Sequence, residues 1–247
     1  MGEASARVTL VVGGTKGIGG AVTRRLARQS AVVAAFRSDV ASAGRLEDWG
    51  RDEGLPVSTY QVDVSSKKGV DNVVDAVIDR HGRLDVIVFS AVQARLRSPL
   101  EVTEEDWQEV IATNTSPFLW LGQRAAEVVT DGGRLIALTS PFSRRYVEGY
   151  GVLGPSKAAL ESLVVYLAVV LAPMGITVNA VSGGLVDTEL LRAQVGEPAI
   201  ASVARRTPLG RIGQPDDLAA LVEFLAAESS AFMTGQTVTM DGGYFLR

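Results

Sequence analysis

The sequence contains no cysteine and a single histidine, His81, among its 247 residues. Without cysteine the chain forms no disulfide and offers no thiolate for nucleophilic catalysis, for zinc or for an iron–sulfur cluster. One imidazole cannot build a histidine-rich metal centre, and a Ser-His-Asp triad would have to use His81. We therefore expect no metal, and any chemistry must depend on hydroxyls, lysine, carboxylates, amides or a bound cofactor.

Long apolar runs and an excess of positive charge are also missing. The longest uncharged apolar run, 163–172, is shorter than the roughly 20 residues of a membrane-spanning helix. The net charge is −4, whereas a nucleic-acid-binding surface is basic. A glycine loop follows the N-terminus so closely that no signal peptide is expected. These features predict a cytoplasmic protein that binds neither membrane nor nucleic acid.

What the sequence does contain is an alternation of short apolar segments with longer helical patterns. Several of the short segments are apolar throughout, as expected for parallel strands that are covered on both faces. We predict one domain over 1–247 with an α/β architecture of the Rossmann type, a doubly wound, seven-stranded parallel sheet flanked by helices. The predicted strands are Val8–Val12, Val32–Phe36, Val57–Val62, Val86–Ser90, Leu135–Thr139, Thr177–Val181 and Thr237–Met240; the predicted helices are 18–29, 40–51, 67–80, 104–129, 155–173 and 215–227. His81 and Gly82 suit the end of the third helix, where His81 is a cap.

A glycine-rich loop joins the first strand to the first helix. Glycines there let the backbone approach a pyrophosphate, while the helix N-terminus supplies free N–H groups and a positive dipole. The spacing is Gly-x3-Gly-x-Gly, and its place between a strand and a helix favours dinucleotide binding over a purely structural turn. The predicted contacts are Gly13, Thr15, Lys16, Gly17, Ile18 and Gly19.

The residues after the second strand bear on the choice of cofactor. A carboxylate at that point would bind a ribose 2′-hydroxyl and repel a 2′-phosphate, but Arg37 and Ser38 stand there. Together with Lys16 they favour NADPH over NADH, although Arg37 could instead be only a solvated loop residue. Asp63, after the third strand, is placed to accept a hydrogen bond from the adenine amino group.

Six motifs together resemble the short-chain dehydrogenase/reductase family over essentially the whole chain. They are GGTKGIG (13–19), VDVS (62–65), Asn114 in ATNTSPF, SKAAL (156–160), VNAVSGG (178–184) and TGQTVTMDGG (234–243). The resemblance implies a single Rossmann domain, an active-site lysine at Lys157 and support of that lysine by Asn114 through water or backbone. It also implies that Ser140 lies beside the substrate, and that the cofactor contacts include Val64, Ser90, Lys157, Val186 and Thr188.

Two departures from the family pattern narrow the function. Ordinary members have Asn-Asn-Ala-Gly after strand four, where this chain has Phe-Ser-Ala-Val (89–92), and a catalytic tyrosine four residues before the lysine, where this chain has Leu153. A tyrosine does stand seven residues before the lysine, at Tyr150. This Tyr-x6-Lys spacing and its surroundings are similar to the NADPH-preferring type III enoyl-[acyl-carrier-protein] reductases.

That resemblance implies NADPH-dependent reduction of the carbon–carbon double bond of an enoyl thioester in fatty-acid or polyketide synthesis. Tyr150 would donate to the enolate oxygen, and Lys157 would lower the pKa of Tyr150 and bind the nicotinamide ribose; Tyr146 is a rival donor. Two other functions stay open at this point. One is a carbonyl reductase that tailors a secondary metabolite, and the other is a catalytically silent NADPH-binding protein.

Partners and a substrate lid are the remaining predictions. The helix 156–172 is apolar around nearly its whole circumference, so one face should meet another subunit in a homo-oligomer, a tetramer or dimer. The segment 189–207 is predicted to be a mobile lid over an acyl substrate. A basic group near the ligand side of the sheet, which an acyl carrier protein could meet, consists of Arg95, Arg97, Arg144 and Arg145.

Overall fold

A computed structural model of the chain describes residues 7–246. Within that range seven strands form one sheet in the order β3-β2-β1-β4-β5-β6-β7, and all neighbouring strands are parallel. The predicted doubly wound Rossmann architecture is thereby confirmed, while the domain predicted over 1–247 extends beyond the described residues at both ends. The strands are β1 (Arg7–Val12), β2 (Ser30–Phe36), β3 (Val57–Gln61), β4 (Leu84–Phe89), β5 (Val129–Thr139), β6 (Thr177–Gly183) and β7 (Thr237–Met240).

Helices cover both faces of this sheet and enclose two cores. Side chains from α3, α5 and α6 pack on one face, and side chains from α1 and α9 pack on the other. Buried valine, leucine and isoleucine from the strands fill both layers, as the apolar strand segments predict. The helices are α1 (Gly17–Leu26), α2 (Val40–Asp52), α3 (Lys67–His81), α4 (Glu104–Asn114), α5 (Ser116–Val128), α6 (Leu153–Leu171), α7 (Glu189–Gln194), α8 (Glu197–Arg206) and α9 (Pro215–Ala226).

The single helix predicted over 104–129 is wrong, because the chain breaks between α4 and α5. Thr115 leaves the helical conformation at φ −128° and ψ −56°. Its hydroxyl donates to the backbone oxygen of Ser156 at 2.9 Å, and Pro117 in the next turn lacks an N–H. Strand β5 also begins earlier than predicted, since Val129 pairs with Leu84 ahead of a register shift.

Helix α6 combines a buried face with an exposed apolar one. Over Leu153–Met174 its length and mean hydropathy of 1.7 would suit a membrane span, so the apolar stretch is longer than the run noted in the sequence. Lys157 and Glu161 are nevertheless buried on its inner face, and Leu160 and Val164 pack into the core under the sheet, which identifies a core helix. The exposed face consists of Val165, Tyr166, Val169 and Val170.

The C-terminal end of α3 agrees with the predicted cap. The helix ends at His81, and Gly82 follows in the left-handed conformation at φ 71° with its N–H bonded to the oxygen of Ile78. A basic side chain and a left-handed glycine are both favourable at a helix C-terminus. Burial lowers the pKa of His81, and its place at the end of α3, remote from the ligand side of the sheet, gives it no part in the site described next.

Candidate active site

The glycine loop turns tightly against the ends of β1 and β2. The amides of Gly13 and Gly14 both donate to the oxygen of Ala35, at 2.9 and 3.1 Å. Gly13 adopts φ +78°, and a Cβ at Gly19 would lie 2.0 Å from the oxygen of Gly13. Only glycine therefore fits these two positions, and the turn delivers the N-terminus of α1 to the edge of a cavity.

That cavity has a volume of about 560 Å³ and runs from the glycine loop past the ends of β2, β3 and β4. It lies where the sheet order reverses on either side of β1, which is where open α/β sheets bind ligands. The volume and the helix N-terminus at its wall suit a dinucleotide. Twelve predicted cofactor residues line it: Gly13, Thr15, Lys16, Gly17, Ile18, Gly19, Arg37, Ser38, Asp63, Val64, Ser90 and Thr188.

Three charged side chains meet at the end of this cavity beyond β2. Lys16 donates to Asp39 at 2.6 Å, and this hydrogen bond is the main reason that the pKa of Asp39 lies far below its usual range. The second cause is the N-cap of α2, where Asp39 also accepts from the amide of Ser42. Arg37 is exposed, and its guanidinium makes no hydrogen bond or ion pair within residues 7–246. This cation is therefore available for a phosphate.

A second cavity, of about 180 Å³, adjoins the first and shares part of its wall with it, including Ser90 and Thr188. Tyr150, Lys157 and Ser140 line it together, so the structure brings these three predicted catalytic residues into one space. Val186 lies here rather than in the first cavity, and the predicted lid contributes Leu190, Leu191 and Gln194.

Lys157 is held at the end of β5 in the second cavity. Its ammonium donates to the oxygen of Leu138 at 3.0 Å, and the residue is only 7% exposed. Burial lowers its pKa from 10.5 to about 8, partly opposed by the negative charge of Glu161 one helical turn away. Glu161 in turn accepts from Thr139 and Arg144, which ties α6 to the end of β5 and to the turn that follows.

Tyr150, and not its rival Tyr146, faces the second cavity. Tyr146 is 81% exposed, whereas Tyr150 packs its ring against Phe142 with centroids 5.0 Å apart. The expected lowering of the pKa of Tyr150 by Lys157 is wrong in this structure, because burial of the phenol raises that pKa above 10.0. Tyr150 thus keeps its proton near neutral pH and is a hydrogen-bond donor. Within residues 7–246 its hydroxyl has no hydrogen-bond partner.

Asn114 and Ser140 take different positions around these two residues. Asn114 is fully buried at the end of α4 and lines neither cavity. Its amide accepts from the N–H of Gln93 at 2.7 Å and donates to the hydroxyl of Ser156 at 3.2 Å. It therefore supports Lys157 through the neighbouring residue of α6 rather than by contact. Ser140 borders the cavity directly as the residue after β5.

Three site residues were not predicted from the sequence. Asp39 had a usable signal, since an aspartate three residues before Ser42 is typical of a helix N-cap. Glu161 follows Lys157 by four residues, a spacing that places both on one helical face. Phe142 had no such signal, because its contact with Tyr150 depends on how the turn after β5 folds.

The predicted basic group is largely neutralised by carboxylates within the chain. Arg95 pairs with Glu109 at 2.7 Å, and Arg144 pairs with Glu161 at 2.9 Å. Arg97 likewise pairs with Asp106 at 3.1 Å. Arg145 instead lies over the ring of Phe245, 5.1 Å from its centroid. Arg145 is therefore the member of the group that a partner's carboxylate could best engage.

Known proteins similar to this chain agree with the geometry. The family model described as Enoyl-(Acyl carrier protein) reductase matches residues 12–245. A short-chain dehydrogenase from Burkholderia cenocepacia, solved in complex with NADP, is 30% identical with a TM-score of 0.90, covering 96% of this chain and 97% of its own. The chain belongs to the short-chain dehydrogenase/reductase superfamily.

Two further members of the superfamily bear on its chemistry. The 1-cyclohexenylcarbonyl-CoA reductase of Streptomyces collinus is 34% identical, over 96% of this chain and 86% of its own length. The actinorhodin polyketide ketoreductase, solved with NADPH, is 28% identical with a TM-score of 0.90 and covers 99% of both chains. This short-chain dehydrogenase/reductase is thus an NAD(P)H-dependent oxidoreductase, as the sequence predicts, and the predicted NADPH agrees with the nucleotides of the solved relatives.

Proposed function

We propose that this short-chain dehydrogenase/reductase uses NADPH to reduce the carbon–carbon double bond of an enoyl thioester in fatty-acid or polyketide synthesis. The observation that carries the proposal is the position of the proton donor. Tyr150 and Lys157 line one cavity across a Tyr-x6-Lys spacing, while Leu153 occupies the usual tyrosine position. The 34% identity to 1-cyclohexenylcarbonyl-CoA reductase, whose named substrate is an unsaturated thioester, supports the same chemistry.

Residues of the larger cavity would hold the cofactor. The amides of the glycine loop and the N-terminus of α1 would bind the pyrophosphate, and Arg37 with Lys16 would bind the 2′-phosphate. Asp63 would bind the adenine, and Lys157 the nicotinamide ribose. When bound, NADPH supplies the hydride that adds to the β-carbon of the enoyl group.

The protein's own task is then to stabilise the negative charge that develops on the thioester oxygen. Tyr150 is protonated and half-buried in the cavity, so its hydroxyl can donate to that oxygen. The ammonium of Lys157 adds a positive charge from the same cavity wall. Ser140 is a further donor beside the substrate, and Asn114 positions Lys157 through Ser156.

A carbonyl reductase is the second candidate. The observation that favours it is the 0.90 TM-score to the actinorhodin polyketide ketoreductase over 99% of both chains. A tyrosine that stabilises an enolate oxygen can equally protonate a ketone oxygen, so Tyr150 alone does not separate the two reactions. A catalytically silent NADPH-binding protein is disfavoured by the shared placement of Tyr150 and Lys157 in one cavity.

The deciding experiment compares two thioesters of the same chain length. We expect NADPH, followed by its near-ultraviolet absorbance, to be oxidised with crotonyl-CoA and not with acetoacetyl-CoA. Oxidation only with acetoacetyl-CoA would replace the proposal by carbonyl reduction. Tight NADPH binding without turnover of either thioester would support the silent alternative.

Variants then test the donor. Tyr150→Phe should reduce turnover by roughly 100-fold or more, as expected for loss of a transition-state donor, without changing NADPH binding. Tyr146→Phe is the matched control, because that exposed tyrosine lies outside the cavity. Undiminished turnover of Tyr150→Phe would remove Tyr150 from the mechanism.

We infer that the protein forms a homo-oligomer, a tetramer or dimer, through the outer face of α6. Tyr166 and Val169 are each 72% exposed there in the single chain, and such an apolar strip is typical of a protein–protein contact. Val169→Glu should shift the sedimentation coefficient towards the monomer. An unchanged coefficient would place the contact elsewhere.

An acyl carrier protein is a possible source of the substrate. The description of the matching family names this carrier, and Arg145 makes no ion pair within residues 7–246. Arg145→Glu should raise the KM for a carrier-linked thioester and leave the KM for the CoA thioester unchanged. Equal effects on both would argue against carrier recognition at this residue.

The segment 189–207 is also proposed to close over the acyl group. Leu190 and Leu191 of α7 border the second cavity, which supports the prediction of a lid. Substrate should then protect this segment from limited proteolysis, and protection by NADPH alone would assign the closure to the cofactor instead.

A further inference from the structure

The ring of Tyr150 depends on aromatic packing for its orientation. Its hydroxyl has no hydrogen-bond partner within residues 7–246, and its backbone is fixed on both sides by Arg97. The N–H of Arg97 donates to Gly149 at 2.7 Å, and the N–H of Gly151 donates to Arg97 at 2.9 Å. The backbone position is thus set, while the direction of the ring depends on what packs beside it.

Phe142 packs beside that ring and is itself packed by the C-terminal tail of the chain. Its centroid lies 5.0 Å from that of Tyr150 at an interplanar angle of 71°, and 5.6 Å from that of Phe245 at 80°. Both are edge-to-face geometries, which aromatic pairs favour. Phe142 therefore lies between Tyr150 and Phe245, so the tail supports the second layer behind the Tyr150 ring.

The tail, residues 241–246, is a constructed turn rather than a loose end. The carboxylate of Asp241 accepts from the amides of Gly243 at 2.8 Å and Phe245 at 3.0 Å. Gly242 and Gly243 adopt positive φ angles of 63° and 83°, which lets the chain reverse there. Asp241 thereby fixes where Phe245 lies.

Two arginines hold the tail from outside. Arg145, in the loop after β5, lies over Phe245 at 5.1 Å, and Arg206, at the end of α8, lies over Tyr244 at 5.2 Å. Cation–π contacts of this kind are favourable even at exposed sites. The tail therefore bridges the loop that leads to Tyr150 and the helix that ends the predicted lid.

We propose that Phe245 is a positioning residue for the proposed donor: through Phe142 it holds the ring of Tyr150 in the direction that the reaction needs. The inference rests on the proposed function, because it assumes that Tyr150 acts on the substrate. An aromatic pair contributes the equivalent of about 2- to 12-fold in a rate or equilibrium constant. Phe245→Ala should therefore lower kcat by about 2- to 12-fold and leave the KM for NADPH unchanged.

The matched control is Phe232→Ala, since Phe232 is fully exposed and makes no aromatic contact within residues 7–246. Phe245→Tyr should restore kcat, because it keeps the ring that meets Phe142. Phe245→Leu keeps apolar volume without the edge-to-face contact, and it provides the same comparison if the alanine variant does not fold.

A second readout does not depend on turnover. In protein with isotope-labelled tyrosine, the NMR signal assigned to Tyr150 with the Tyr150→Phe variant should move in Phe245→Ala, since the ring changes direction relative to Phe142. It should stay in place in Phe232→Ala. A folded, NADPH-binding Phe245→Ala or Phe245→Leu variant whose Tyr150 signal and kcat match those of Phe232→Ala would overturn the inference.

Failure of the proposed function is distinguishable from this result. It would appear as full turnover in Tyr150→Phe or as reduction of the ketone alone, whatever the NMR signal does. A Tyr150 signal that moves while kcat stays unchanged would overturn the positioning role, because ring direction would then not matter to the reaction.

Discussion

Replacing Lys157 by methionine tests the electrostatics of the site apart from its chemistry. The variant removes a charge that burial destabilises, so the two residues should differ most where the ammonium is protonated. The pKa of Lys157 lies at about 8 in the folded protein against 10.5 when exposed. At about 1.4 kcal/mol per pKa unit, this difference corresponds to about 3 kcal/mol of unfavourable free energy at neutral pH.

The sign of the pH dependence follows from proton linkage. The folded protein releases the Lys157 proton near pH 8 and the unfolded chain near pH 10.5, so between these values the unfolded chain binds more protons. The free energy of unfolding of the wild type therefore rises with pH relative to Lys157→Met. The expected gain is about 2 kcal/mol between about pH 7 and about pH 9.5.

Urea unfolding of both proteins across this pH range measures the gain. Losing the hydrogen bond to Leu138 costs Lys157→Met about 1–3 kcal/mol if that oxygen stays unpaired, but this cost does not vary with pH. The matched control is Lys68→Met, which removes one exposed charge on α3. A wild-type minus Lys157→Met difference that is flat with pH would refute the reasoning, because a buried ammonium with a lowered pKa must produce a slope.

Three further predictions concern the cofactor cavity and the support of Lys157. Arg37→Ala should weaken NADPH binding by roughly 10- to 150-fold and leave NADH binding nearly unchanged, measured by nucleotide fluorescence titration; equal losses would exclude a 2′-phosphate contact. Gly19→Ala should abolish nucleotide binding and lower the free energy of unfolding by about 1–3 kcal/mol, since a Cβ would lie 2.0 Å from the oxygen of Gly13. Glu161→Gln should lower the pKa of Lys157 further and move the alkaline limb of the rate profile to lower pH, and an unmoved limb would contradict the coupling.

The sequence allowed the fold and the phosphate loop to be predicted because both depend on local patterns. Apolar strand segments and a glycine loop at a strand–helix junction are visible within a few residues, and twelve predicted cofactor contacts indeed line one cavity. The family resemblance similarly brought Tyr150, Lys157 and Ser140 together.

What the sequence did not reveal depends on contacts between distant segments. The break at Thr115 follows from its hydrogen bond to Ser156, 41 residues away. The raised pKa of Tyr150 follows from burial, which no local pattern encodes. The pair of Lys16 with Asp39 joins two loops 23 residues apart, so the amount of positive charge left for a phosphate could not be judged from composition.

The clamp made by Asn114 has a practical consequence. One side chain receives the amide of Gln93, after β4, and reaches Ser156, beside Lys157, so a single backbone hydrogen reports on three converging segments. Slow deuterium exchange at the Gln93 amide in the nucleotide-free protein would mean that the catalytic framework is assembled before any ligand arrives. Faster exchange there in a variant would then identify loss of that framework without a substrate or an activity assay.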